Sequence, residues 1–174
     1  RWVDHEDWAE TWKRGLSPRR IGGCLVVTTT WHPVDTHPGD VVLVIDPGMA
    51  FGTAEHGTTR GCLRLLERAV EPGQRVLDVG AGSGILGIAA ARLGAGGVLA
   101  LEGDPLATEA LTENVALNGV ADLVRWEERW ADAADLAALE PCDGVVANIE
   151  SGILRPLMGG FAAALRPGGW LILS

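Results

Sequence analysis

The stretch Val76-Leu77-Asp78-Val79-Gly80-Ala81-Gly82-Ser83-Gly84-Ile85-Leu86 constrains this chain more than any other. A short apolar run leads into three alternating glycines and then into an alanine-rich helical pattern. Glycines at that spacing let the backbone turn through conformations closed to other residues. They also let a ligand lie against bare backbone, beside the unpaired N–H groups of the helix's first turn. Strand, glycine turn and helix in that order predict a nucleotide pocket. The plainer alternative is a tight strand-to-helix turn that packs and binds nothing.

Residues 82–87 also match G-x-G-x-x-G, the dinucleotide fingerprint. Asp78 argues against that ligand, because a carboxylate two residues before the first glycine would set like charge against a pyrophosphate. A cationic ligand fits better. S-adenosylmethionine meets that demand, since it carries a sulfonium and an amino group and has no phosphate. Glu102 follows the glycines by about 20 residues, at the end of the next strand pattern, where an acid can accept from both ribose hydroxyls. Otherwise Glu102 is a solvated strand-end acid.

The rest of the chain alternates strand and helix patterns. Strands are expected at Leu25 to Thr30, Val41 to Ile45, Val76 to Val79, Val98 to Leu101, Leu123 to Trp126, Asp143 to Asn148 and Trp170 to Leu173. Helices are expected at Asp4 to Arg14, Thr58 to Ala69, Ile85 to Leu93, Pro105 to Asn118, Asp132 to Leu139 and Gly152 to Leu165. Asp104 before Pro105 is a helix cap. Glu127 and Glu128 are expected in an exposed acidic turn. Alternation at these lengths means a parallel sheet covered on both faces, with the ligand at its carboxyl edge. Asn148, ending an apolar strand at that same edge, offers both a donor and an acceptor; its competing role is to cap the helix near Ser151.

With 174 residues, 47% of them hydrophobic, the chain suits one domain with a proper core. Cys24, Cys62 and Cys142 are odd in number and lie far apart, without a C-x-x-C pair, which predicts a reducing cytoplasm and no structural metal. No apolar run reaches membrane-span length. A formal charge of −9 disfavours phosphate backbones and favours basic partners. The chain begins at Arg1 and stops at Ser174 directly after a strand pattern, so a piece of a longer protein is expected.

The run Asp78-Val79-Gly80-Ala81-Gly82-Ser83-Gly84 resembles the first motif of the class I methyltransferases. Asp46-Pro47-Gly48-Met49-Ala50-Phe51-Gly52-Thr53-Ala54-Glu55-His56-Gly57-Thr58-Thr59 resembles, more specifically, the signature loop of the PrmA family, the methyltransferases of ribosomal protein L11. Ala54 stands where that family has glycine, and if the position requires a positive φ the loop is strained by about 1 kcal/mol or more. Glu102-Gly103-Asp104-Pro105 stands where relatives usually read Asp-x-Asp-Pro. Asp7-Trp8-Ala9-Glu10 and Trp12-Lys13 resemble the family's linker helix, which in full-length relatives follows an N-terminal recognition domain.

The resemblance implies a doubly wound, Rossmann-like, mainly parallel α/β sheet ending here after its fifth core strand. It places a linker segment at residues 1–20 and the methyltransferase domain at 21–174. S-adenosylmethionine contacts are expected from Thr59, Asp78, Gly80, Gly82, Gly84, Glu102 and Asn148, with Asn148 beside the transferred methyl and with Glu127 and Glu128 in the region where many methyltransferases contact the adenine. The substrate would be amino groups of a basic large-subunit ribosomal protein, methylated in the cytoplasm without direct nucleic-acid or membrane contact. His56 is expected to organise its loop, and Glu150, where relatives often carry an apolar residue, to place a charge near the substrate amine. Two other readings stay open: methylation of another protein or a small molecule by the same fold, and a module that binds cofactor or a basic partner without transfer.

Overall fold

The computed structural model describes residues 17–46 and 54–174. The amphipathic helix expected over residues 4–14 and residues 47–53 of the signature loop lie outside the described residues. The first elements are β1 (Arg19–Ile21), β2 (Leu25–Thr28) and β3 (Val41–Val44), which form a small sheet in that order. β1 pairs antiparallel with β2, and β2 parallel with β3. β1 was not expected from the sequence, because three residues with two arginines carry no alternation to read; the expected boundary after residue 20 falls inside it.

The chain then runs α1 (Gly57–Ala69), β4 (Arg75–Val79), α2 (Ile85–Arg92), β5 (Gly97–Glu102), α3 (Pro105–Leu117), β6 (Val124–Glu128), α4 (Ala133–Ala137), β7 (Cys142–Ala147), α5 (Ser151–Ala164) and β8 (Leu165–Leu173). Strands β4 to β8 form one parallel sheet in the order β6-β5-β4-β7-β8. From β4 the chain steps outward to β5 and β6, then returns across β4 to β7 and β8. Right-handed crossovers in opposite directions put helices on opposite faces and open a crevice at the carboxyl ends of β4 and β7.

Two apolar clusters fill the two faces. One gathers Val76, Val98 and Val146 of the sheet with Cys62, Leu63 and Leu66 of α1, the small residues of α2, and Leu43 of the first sheet. The other gathers Leu77, Val79, Leu101 and Val145 with Leu136 of α4 and Phe161 of α5. α2 is buried from Ile85 to Ala91, and its glycine and alanines let it sit close to the sheet. Asp104 caps α3 by accepting from Leu106 N–H at 2.9 Å, with Pro105 opening the helix, as expected.

Two strand ends differ from the sequence expectation. β6 continues through Glu127 and Glu128, which pair with Leu101 and Glu102, so the expected acidic turn is strand. β6 is an edge strand with only Val124 buried, so its apolar pattern stops before its backbone pairing does. β8 begins at Leu165, paired with Cys142, and its register shifts across Pro167-Gly168-Gly169 before Trp170 pairs with Gly144. Gly168 has a φ of +83° there, a conformation that favours glycine.

Candidate functional site

The three glycines of the turn all adopt left-handed conformations, with φ of +71° at Gly80, +56° at Gly82 and +81° at Gly84, the residue preceding α2. Side chains with a Cβ are strained there, which is why the alternation is glycine. The N–H groups of Gly80 and Ala81 donate to Leu101 O at 2.9 and 3.2 Å, and that of Gly84 donates to Ala81 O at 2.9 Å. The N–H of Gly82 donates to Glu102 Oε2 at 2.7 Å. All four are turned inward. These four donors are spent within the turn, which takes from it the nest a pyrophosphate would need; the free donors expected from the sequence belong to the first turn of α2, beyond Gly84.

Glu102 is buried at the end of β5. Besides accepting from Gly82, its carboxylate accepts at Oε1 from Gly103 N–H at 2.8 Å and Asp104 N–H at 2.9 Å. It laces the glycine turn to the segment that enters α3. A carboxylate offers about four lone-pair sites, and three are taken. Glu102 therefore offers one acceptor position, at Oε2, rather than both oxygens for a diol.

Asp78 lies beneath the turn, fully buried. Its Oδ2 accepts from Gly87 N–H at 2.8 Å, and its Oδ1 has no hydrogen-bond partner among the described residues. Burial pushes its carboxyl up to about 7, the Gly87 bond opposes that, and the nearby Glu102 charge adds to it. Gly87, the last glycine of the dinucleotide-like match, is needed for close approach: a Cβ there would lie 3.1 Å from Asp78 Oδ2 and 3.2 Å from a Val98 methyl.

Above the turn opens a cleft of about 550 Å³. Thr59, Gly80, Gly82, Glu102 and Asn148 all line it, so five of the residues expected at the site are brought together. Asp78 and Gly84 do not line it. Asp78 lies one layer below the cleft, where its carboxylate holds α2 against β4. Gly84 serves the turn's conformation, and a Cβ there would face Leu111 and Ile88 in the core.

Asn148 Nδ2 donates to Thr59 Oγ1 at 3.1 Å, joining two expected site residues that lie 89 positions apart. The competing role of helix cap is not taken, since Glu150 precedes α5 and makes no side-chain cap bond. Glu150 is exposed and lines the same cleft. Glu102, Asp104 and Glu150 are its charged residues; no lysine, arginine or histidine lines it among the described residues. Its other walls include Ile85, Leu86, Ala107, Trp130, Ile149 and Ile153.

Sequence reasoning missed several residues that build this site. Asn114, fully buried on α3, accepts from Asp46 N–H at 2.9 Å and donates to Asp46 O at 3.1 Å and Ser83 O at 2.9 Å. Asn118, one turn on, accepts from Val44 N–H at 2.9 Å and donates to Val44 O at 2.7 Å. The available signal was a pair of amides four residues apart in a helix pattern, one turn of which faces inward. Arg60 gathers the described end of the signature loop, donating to Ala54 O at 3.1 Å and also to Glu55 O. His56, expected to organise that loop, precedes α1, and its carbonyl accepts from Arg60 N–H at 3.2 Å. No described residue other than glycine has a positive φ, so the strain expected at Ala54 is absent. Neither Glu127 nor Glu128 lines the cleft; Glu128 accepts from Thr108 Oγ1 at 3.2 Å.

A second hollow of about 450 Å³ lies at the amino end of the sheet, among Arg75, Leu99, Arg125, Glu140 and Cys142. Its charges are mixed, with Arg75 and Glu140 paired at 2.8 Å, and it lies at the opposite end of the strands from the glycine turn that follows β4. It lacks the features of a nucleotide site.

With this geometry in view, the family model described as "Ribosomal protein L11 methyltransferase (PrmA)" matches residues 1–174. The chain is 44% identical over 174 residues to the ribosomal protein L11 methyltransferase of Symbiobacterium thermophilum, covering 100% of this chain and 56% of that protein. It thus spans little more than half the length of this curated relative. The crystal structure of a ribosomal protein L11 methylase from Lactobacillus delbrueckii subsp. bulgaricus superposes with a TM-score of 0.80 at 35% identity, covering 91% of this chain and 79% of that one. A S-adenosylmethionine-dependent methyltransferase from Geobacter sulfurreducens, solved with S-adenosyl-L-homocysteine, matches with a TM-score of 0.58 at 27% identity over 70% of this chain and 50% of its own.

Proposed function

Because this chain belongs to the ribosomal protein L11 methyltransferase (PrmA) family, we propose that it binds S-adenosylmethionine above its glycine turn and methylates amino groups of a basic protein, ribosomal protein L11 or its equivalent. The observation that carries this reading is the charge of the cleft. Its charged walls are all carboxylates, the turn's inner N–H groups are already donated, and its remaining surface is largely apolar. Such a site suits a cation attached to a purine and opposes a pyrophosphate. When bound, S-adenosylmethionine supplies a methyl group on a sulfonium, a leaving group that is already activated.

The protein's contribution is alignment, which can reach ~7–11 kcal/mol. Deprotonating a lysine at pH 7 costs about 4.6 kcal/mol, so no dedicated base is required. Asn148 has its Nδ2 committed to Thr59, which leaves its carbonyl oxygen to accept an N–H of the incoming amine and aim the lone pair. Glu150 supplies a counter-charge at the mouth. In this reading residues 1–20 are a linker segment and 21–174 the transfer domain, working in the cytoplasm. Among the described residues no helix is long and apolar enough to cross a membrane.

Calorimetry with S-adenosylhomocysteine and with NAD tests the ligand. Binding of the first and none of the second is expected, and the reverse would remove the reading. Transfer is tested at Asn148→Ala by single-turnover methylation of ribosomal protein L11 in a full-length context. We expect turnover to fall far more than cofactor affinity, the mark of an interaction made in the transition state. A variant that loses stability but keeps its turnover would take Asn148 out of the transfer site.

A further inference from the structure

We propose that the β6 edge is an interface at which two copies of this chain pair antiparallel, about a two-fold axis centred on Trp126. β6 ends its sheet and has β5 as its neighbour on one side only. That inner side is fixed by two bonds: Val98 N–H donates to Leu123 O at 2.8 Å, and Arg129 N–H donates to Glu102 O at 2.7 Å. Main-chain groups alternate sides along a strand, so the odd-numbered residues face β5 while Val124, Trp126 and Glu128 turn theirs outward. Val124 N–H is spent on Val120 O at 2.9 Å. Among the described residues, the N–H groups of Trp126 and Glu128 and the carbonyls of all three are left for another strand.

The side chains decide which strand. Val124, Trp126 and Glu128 lie on the α3 face, where Glu128 accepts from Thr108 and Val124 joins the apolar cluster; Arg125 and Glu127 lie on the other face, lining the hollow at the amino end. Charged residues ordinarily keep an edge single. Here their order favours one pairing. With the axis at Trp126, Arg125 of each copy faces Glu127 of the other, at the non-hydrogen-bonded positions where side chains stand closest. Arg125 has no hydrogen bond or ion pair among the described residues, so its charge is available. The two Trp126 residues exchange their N–H···O bonds, and Glu128 N–H of each copy reaches Val124 O of the other. Each exposed indole, 37% accessible in one copy, then covers its counterpart between the two α3 helices. A chain of formal charge −9 repels its own copies in most orientations, which leaves an approach that matches opposite charges as the selected one. Antiparallel strands also carry the two glycine-turn clefts to opposite ends of the joined sheet, so neither blocks the other.

Sedimentation velocity over a concentration series of the full chain tests this, with Arg125→Glu, Glu127→Arg and the double variant alongside. These positions are exposed, and thermal unfolding checks that each variant keeps its fold. The unaltered chain is expected to be a dimer that dissociates on dilution. Arg125→Glu sets glutamate against glutamate and Glu127→Arg sets arginine against arginine, each twice across the axis, so either should weaken the dimer on the order of tenfold or more. Exchanging both charges restores it. Mixing the two single variants yields a heterodimer, because each supplies the charge the other lacks, an outcome that damage to the fold would not produce. A chain that stays monomeric at every soluble concentration, as it would if another segment of the full-length protein covered the edge, would overturn the proposal. So would a dimer indifferent to both reversals, or single variants that remain apart when mixed.

Discussion

Replacing Asp78 by asparagine is expected to flatten the pH dependence of stability between about pH 5 and pH 8. The wild-type carboxyl sits at about 7 in the folded chain because it is buried, against about 3.9 when unfolded. Between those values the folded state holds a proton that the unfolded state has released, so stability falls as pH rises and is fully present only below the lower value. The difference amounts to on the order of 4 kcal/mol once the folded group ionises. Asparagine keeps an acceptor for Gly87 N–H and cannot ionise. Urea unfolding of both proteins at pH 5 and pH 8 measures the effect, and the subtraction cancels the histidines and other shared groups. Parallel losses in the two proteins would show that Asp78 is not the group responsible.

Asn114→Ala should cost about 3 kcal/mol, since it strips partners from the half-buried N–H and carbonyl of Asp46 and from the buried carbonyl of Ser83 at once. It should also weaken S-adenosylhomocysteine, because Ser83 belongs to the glycine turn. Asn118→Ala makes the contrast: it frees Val44 and the carbonyl of Asn114 but bonds to nothing in the turn, so it should destabilise while sparing affinity. Paired denaturation and calorimetry on the two variants decide the matter. Equal losses of affinity would mean that the amides act only through global stability.

Much of the fold could be read from the sequence because its strands are buried on both faces. Val76 to Val79, broken only by the buried Asp78, and Gly144 to Ala147 are largely apolar runs that end at Gly80 and Asn148, and both are strands at nearly the expected bounds. Where burial is one-sided or the strand very short, the pattern failed, as at Glu127 and Glu128 on the edge and at Arg19–Ile21.

The glycines were legible for a similar reason: φ values near +56° to +81° leave little choice of residue. What could not be read was direction. The same strand-end acid can face the ligand or the layer below, and Asp78 faces below while Glu102 reaches the cleft with most of its acceptors already used.

The bond between Thr59 and Asn148 also bears on when the site comes into being. Its two ends are 89 residues apart, and no shorter piece of chain contains both walls of the cleft. Closing so large a loop costs entropy before any contact repays it, so this pairing belongs to the late part of folding. During synthesis the glycine turn leaves the ribosome long before Asn148 does, and the chain has no finished cleft in that interval. A ligand that needs both walls acts on the completed structure, slowing its unfolding while leaving the rate of folding nearly unchanged.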